Sequence, residues 1–298
     1  MRRKYLILSL LSLILAAVTA CQDEPLSPES VITLDRVYEN DFDKWLRANY
    51  VDPYNIEFCY KYNLNESDMN YFTVPSDLNS SIMMAHLVKY LCIESYDEVA
   101  GVDFTRAYFP KLFFLIGEFE YRNNGTMILG TAEGGKKIML SGINYLPRFI
   151  RDAEYLNILY LQTIHHEFTH ILNQTKDYPA DYKQITGNGY VADQWSTAPF
   201  DTTYLKNGFI SSYAQYADYE DFAEMLSSFV VHDASWWDAQ LQAAGAEGAK
   251  RIGAKLDMVR TYMSESWGID IYALRETIQR RQQDVTGGRL DLLNLSLN

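Results

Sequence analysis

Apolar residues recur at helical spacing over two long stretches of the chain. Between residues 80 and 96 the set Ile82, Met83, Leu87, Tyr90 and Leu91 predicts a helix. Over 152–173, Leu156, Leu159, Tyr160, Ile164, Phe168, Ile171 and Leu172 keep a period near 3.6, ahead of a loop containing Pro179. Strand patterns surround the first of these helices. Residues 56–62 alternate, 111–121 are rich in Phe, Leu and Ile, and 126–130 and 137–140 flank Gly134-Gly135, which predicts a hairpin. The stretch 174–213, rich in Gly, Asn, Thr and Tyr, reads mostly as loop; helices return over 219–231, 236–243 and much of 246–283. This order predicts an α+β fold in one domain over 34–298. Its N-terminal lobe (34–175) is mixed, with a small sheet and the long helix, and its C-terminal lobe (176–298) is mostly helical.

The first twenty residues stand apart. A basic start at Arg2, Arg3 and Lys4, an apolar run from Leu6 to Val18 and small residues after it read as a secretory leader, with a run short for a membrane span. It ends in Val18-Thr19-Ala20-Cys21, which resembles the lipobox of bacterial lipoproteins; the resemblance implies cleavage before Cys21 and acylation of its thiol and new N-terminus. Residues 21–33, polar and acidic with Pro25 and Pro28, then serve as a tether to a membrane reached only through the lipid. Loss of the leader moves the net charge from −13 to −16, which argues against nucleic-acid partners. The 23 tyrosines are read as packing at the core margin. Cys59 and Cys92 are too few for a disulfide framework or a cysteine-rich metal site; they either pair or stand as buried thiols.

The most informative stretch is His166-Glu167-Phe168-Thr169-His170 on the long helix. Two imidazoles one turn apart converge on a single zinc ion, and Glu167, one residue off that line, is placed to act as general base toward the attacking water. A third ligand is required. The extended metzincin pattern would put glycine at position 173 and histidine at 176, where this chain has Asn173 and Lys176. Glu220 and Glu224, one turn apart on a predicted helix, are the alternatives: one completes the ligand set and the other orients a ligand imidazole through its second ring N–H. His165 is rotated by about 100° from His166 and reads as packing. His86 and His232 have no partner pattern, and Trp195 either lines the cleft or folds its loop. The hairpin at 126–140 offers an edge strand on which an extended peptide could pair.

The two motifs together resemble the gluzincin site of the lethal-factor type, in which a Ser-Tyr pair (here Ser212-Tyr213) precedes the ligand glutamate by seven residues and a second glutamate follows four later. That resemblance implies Glu220 as third ligand, Glu224 as the orienting carboxylate and Tyr213 as a donor to the oxyanion, in a zincin-like fold. The lipobox, the His-Glu-x-x-His helix and the run Gly208-Phe-Ile-Ser-Ser-Tyr-Ala with the later Glu220-Asp-Phe-Ala-Glu224 are similar to the zinc metallohydrolase lipoproteins of Bacteroidota. That family implies association with a SusC/SusD-type import system; the first functional reading is an endo- or exopeptidase at the outer membrane, facing the periplasm or the cell surface, that trims peptides or glycopeptides before import. Gln22-Asp23-Glu24 resembles the export signal for surface display in that group. Two other functions compete: a zinc amidase on cell-wall or glycan substrates, and a non-catalytic binding lipoprotein of an import complex.

Overall fold

In a computed structural model, the described part of the chain comprises residues 39–63, 73–121, 127–128, 130–133 and 137–297. The leader, Cys21, the tether, Gln22-Asp23-Glu24 and the Gly134-Gly135 turn lie outside the described residues.

Helix α1 (Asp41–Leu46) starts at Asn40, which exchanges two hydrogen bonds with Asp43 in a capping box. Asp77 caps α2 (Leu78–Leu87) by accepting from Ser80 N at 3.0 Å, and α2 runs on through a π-helical stretch (Val88–Ile93) into Glu94–Ala100, with α3 (Val102–Tyr108) after it. Strands β1 (Glu57–Cys59), β2 (Leu112–Leu115) and β6 (Lys137–Leu140) pair in parallel, and β5 (Gly130–Glu133) adds an antiparallel edge, in the order β1-β2-β6-β5. Parallel strands bury both faces, which accounts for the unbroken apolar runs in β2 and β6. Phe113, Leu115, Ile138 and Leu140 join the main core, while Phe114 and Met139 pack with Ile116 on the other side.

The expected hairpin forms with a different outer strand. Gly130–Glu133 pairs with β6, whereas β4 (Met127–Ile128) pairs with β3 (Glu120–Tyr121). The two segments are adjacent in sequence, and strand patterning does not choose between partners.

Asp152 caps the segment Ala153–Leu156, which continues through a π-helical turn (Asn157–Leu161) into α4 (Gln162–Thr175), the motif helix. Within the stretch expected to be loop, α5 (Phe200–Asn207) is a helix. Its own sequence is weakly periodic; it is held against the later α7 and closed by Gly208 at φ 91°, a conformation that favours glycine. Then follow α6 (Asp218–Val231), α7 (Ala234–Trp267) and α8 (Ile271–Thr286). The interruption expected between 243 and 246 is Gly245, at φ 68° inside α7. The architecture is α+β, mostly helical around a small sheet.

Helix α6 is buried on nearly every side from Glu220 to Val231, and this includes a charge. Asp221 meets Lys255 of α7 at 2.5 Å, both without solvent exposure. Lys255 also donates to Gly208 O at 2.9 Å and sits 3.8 Å above the Phe209 ring, and Tyr190 donates to Asp221 at 2.9 Å. Burial pushes the Asp221 carboxyl up to about 6, and Lys255 opposes that rise. Removing one partner strands the other in the core. Lys255→Ala is therefore expected to cost about 3–5 kcal/mol of unfolding free energy in a denaturant titration, with Asp221→Asn/Lys255→Met recovering most of it. Equal stability of Lys255→Ala and wild type would show that the pair does not hold α6 to α7.

Candidate metal centre

The motif helix is fixed from behind. Phe168 packs edge-on against Tyr96 and Phe109, each at 5.0 Å between ring centroids, and His165 Nδ1 bonds the Tyr96 hydroxyl at 3.0 Å. Burial pushes the His165 pKa down to about 3, so it is a neutral core side chain on the face away from the site.

On the opposite face α4 meets α6. Gln162 reaches Glu224 and Ser228, His166 reaches Glu220 and Glu224, and His170 reaches Glu220. Partners fall along α6 as positions rise along α4, so the helices run antiparallel, and one turn of each brings the two motifs together. His166 Nε2 lies 2.8 Å and His170 Nε2 3.1 Å from Glu220 Oε2, and the two nitrogens are 3.1 Å apart. Three donor atoms aim their lone pairs at one point, an arrangement that needs a shared proton or a cation. The separations are close to the edge of roughly 3.3 Å in a tetrahedron whose metal–ligand bonds are about 2.0–2.1 Å, and two histidines with a glutamate are a zinc donor set that leaves a position open. His166, His170 and Glu220 thus fit zinc in number, chemistry and spacing.

Around this triangle the carboxylates are held. Burial opposes a charge on His166, but Glu220 and Glu224 outweigh it and push its pKa up to about 10. The same imidazoles hold the Glu220 carboxyl well below the usual carboxylate range, against burial. A metal ion competes with that shared proton for the same lone pairs. Glu220 Oε1 accepts from the Tyr213 hydroxyl at 3.0 Å. Glu224 Oε1 stands 2.7 Å from His166 Nδ1, a close but bent approach, since that N–H makes no well-directed hydrogen bond. Glu224 Oε2 accepts from Ser211 at 2.6 Å and Gln162 at 3.1 Å. Its placement on the far nitrogen of His166 is that of a carboxylate orienting a ligand imidazole. Glu224→Ala is expected to weaken zinc binding about 10–100-fold in a chelator competition. An unchanged affinity would remove Glu224 from the site.

Glu167 is half-buried on α4 and stands outside the converging triangle. Trp195 packs edge-on to Tyr213 at 5.1 Å, so it stands beside the site. His86 bonds Asn294 O at 3.0 Å, and His232 stacks on Trp236 at 3.8 Å. Cys92 is a buried thiol, and the Cys59 thiol donates to Glu57 Oε1 at 3.4 Å. Sequence reading missed Gln162 and Ser211. Gln162 sits four residues before His166 and so on its face, a signal that was there to use; Ser211 carries none.

Residues 35–272 match the family described as "Putative zinc-binding metallo-peptidase". The chain belongs to this family. It is also similar to the crystal structure of a protein described in the same words from Bacteroides caccae. That similarity has 37% sequence identity and a TM-score of 0.75, and it covers 90% of this chain and 100% of that one. No curated protein matches the chain. Among the described residues of this family member, the cluster of His166, His170 and Glu220 is a group that could hold a metal ion.

Proposed function

We propose that the chain is a lipid-anchored zinc metallopeptidase that hydrolyses peptide or glycopeptide bonds outside the cytoplasm, with a gluzincin-type site like that of the lethal-factor type. One observation carries this reading: two imidazoles from α4 and one carboxylate from α6 converge within hydrogen-bond distance of each other, with a further acid one residue from the first histidine. His166, His170 and Glu220 hold the metal. Zinc, when bound there, supplies Lewis acidity, lowering the pKa of water and polarising a carbonyl. Glu167 takes a proton from the attacking water and returns it to the leaving amine. Tyr213, whose hydroxyl is already at Glu220, donates to the oxyanion as it develops. Glu224, fixed by Ser211 and Gln162, keeps the His166 ring in place. Strand β5, at the sheet edge and packed beside α4, offers main-chain groups to an extended substrate.

The address rests on the sequence. Acylation at Cys21 and the tether over 21–33 would place the domain at the outer membrane, where a SusC/SusD-type import system is the proposed partner. The reading is tested by zinc content and peptide cleavage in wild type and His166→Ala/His170→Ala. Zinc and cleavage should both be lost in the variant; equal zinc in the two proteins would overturn the site.

A further inference from the structure

Beside the metal cluster, aromatic rings form a continuous row. Trp195 meets Tyr213 at 5.1 Å, Tyr213 stacks on Tyr216 at 5.9 Å, and Tyr216 meets Tyr219 at 6.3 Å. Both ends of the tyrosine run return to the site, since Tyr213 lies 6.0 Å from His166 and Tyr219 6.0 Å from His170. The row is therefore a wall of the site. It remains accessible: Tyr219 is 44% exposed, and Trp195 and Tyr216 are half-buried. These rings pack on one another at the core margin, as expected of the tyrosines, and their exposed parts also border the site.

The stretch of chain that carries the wall is acidic. Between residues 177 and 224 the chain carries eight acids (Asp177, Asp181, Asp193, Asp201, Asp218, Glu220, Asp221, Glu224) and two bases, Lys183 and Lys206. Glu220, Glu224 and Asp221 are committed to the metal cluster and the buried pair. Asp193 is exposed two residues before Trp195, and Asp218 adjoins Tyr219 and accepts from Tyr178 at 2.7 Å. Elsewhere the protein seats its own cations on rings, Lys255 on Phe209 at 3.8 Å and Lys176 on Trp267 at 4.3 Å. Among the described residues no such pair falls on Tyr216 or Tyr219. Ring faces and carboxylates both favour a positive charge; a neutral sugar can stack on the rings and donate hydrogen bonds to the acids, but it gains no charge attraction from either.

We propose that the wall formed by Trp195, Tyr213, Tyr216 and Tyr219 is a subsite for a cationic side chain, lysine or arginine, near the scissile bond of a peptide substrate. This rests on the peptidase reading above. The subsite confers selectivity through Trp195, Tyr216 and Tyr219, so loss of those rings removes a preference, whereas loss of Tyr213 would also remove the donor proposed above for the oxyanion.

The test uses the zinc-loaded protein and a peptide library in which lysine, arginine, norleucine, glutamate or an O-glycosylated threonine is scanned along one sequence. Lysine and arginine peptides should be cleaved with kcat/KM about tenfold above the norleucine peptide at one position. Trp195→Ala/Tyr216→Ala should bring them level with norleucine, whatever the lost packing on Tyr213 does to all the rates together, and Trp195→Phe/Tyr216→Phe should keep the preference. Binding of the lysine peptide to the inactive Glu167→Ala variant, followed by tryptophan fluorescence, should weaken as salt rises. Equal rates for lysine and norleucine at every position, a preference that survives Trp195→Ala/Tyr216→Ala, or a glycopeptide preferred over lysine would each overturn the subsite. Failure of the peptidase reading looks different: no peptide is cleaved. The subsite then stands if Glu167→Ala still binds the lysine peptide over norleucine through Trp195 and Tyr216, and falls if it does not.

Discussion

Glu167→Ala is expected to retain zinc at the wild-type level and to lose about 10²–10⁴ in kcat for peptide cleavage. The position of Glu167 dictates the split. It sits one residue after His166 on the same helix, half-buried, while the three converging donors are His166, His170 and Glu220. Its removal leaves those lone pairs and their supports at Glu224 and Tyr213 untouched. What it removes is the carboxylate proposed above to take the proton of the attacking water. Glu167→Gln keeps the shape and removes only the basicity, so it should be as inactive as the alanine variant. Metal content per chain and single-turnover cleavage separate the two effects. Parallel loss of zinc and activity would make Glu167 a ligand or a structural acid, and retained turnover in Glu167→Gln would place the base elsewhere.

The helix face that carries this chemistry was readable because its period is strict. An i, i+4 histidine pair within a run of buried apolar residues can point only to one side, and the apolar set fixed which side is core. Glu220 and Glu224 were readable as a pair for the same reason, and the structure puts Glu220 on the two Nε2 atoms and Glu224 on the far nitrogen of His166. Asp221, between them, was not readable as buried. It sits among the acids Asp218, Glu220 and Glu224, and its partner Lys255 lies far along the chain, so nothing local distinguishes it from a solvated charge. The strand partner of β6 was also not readable, because two short segments compete for it and only the tertiary fit selects Gly130–Glu133. Helix α5 owes its existence to packing on α7, which propensity does not record. Gly245 was legible as an interruption because glycine is the residue that reaches φ 68° without strain.

Ligand removal should act on the metal before it acts on the fold. Glu220→Ala is expected to weaken zinc binding by more than the roughly 100-fold upper range for an outer partner, and hence by more than Glu224→Ala. The ordering follows from which atoms each side chain addresses. Glu220 Oε2 is one of three converging donors, at 2.8 and 3.1 Å from the two imidazole nitrogens, whereas Glu224 reaches the cluster only through the far side of His166. His170→Ala belongs with Glu220→Ala, since it removes a donor and leaves the Glu224 support intact. Two measurements check this together. Chelator competition gives the affinities, and thermal unfolding with and without zinc gives the linkage, because an ion that binds only the folded chain stabilises it by RT ln(1 + [Zn]/Kd). Wild type and Glu224→Ala should therefore be raised in Tm by micromolar zinc, and Glu220→Ala and His170→Ala should not. The apo Tm of Glu220→Ala should fall, because His166 and His170 lose a buried counter-charge, while the Asp221–Lys255 pair that holds α6 remains; the readout is therefore the rise in Tm on adding zinc to each protein. A zinc affinity in Glu220→Ala equal to that of Glu224→Ala would reverse the two roles, and the third ligand would then be sought on Glu224.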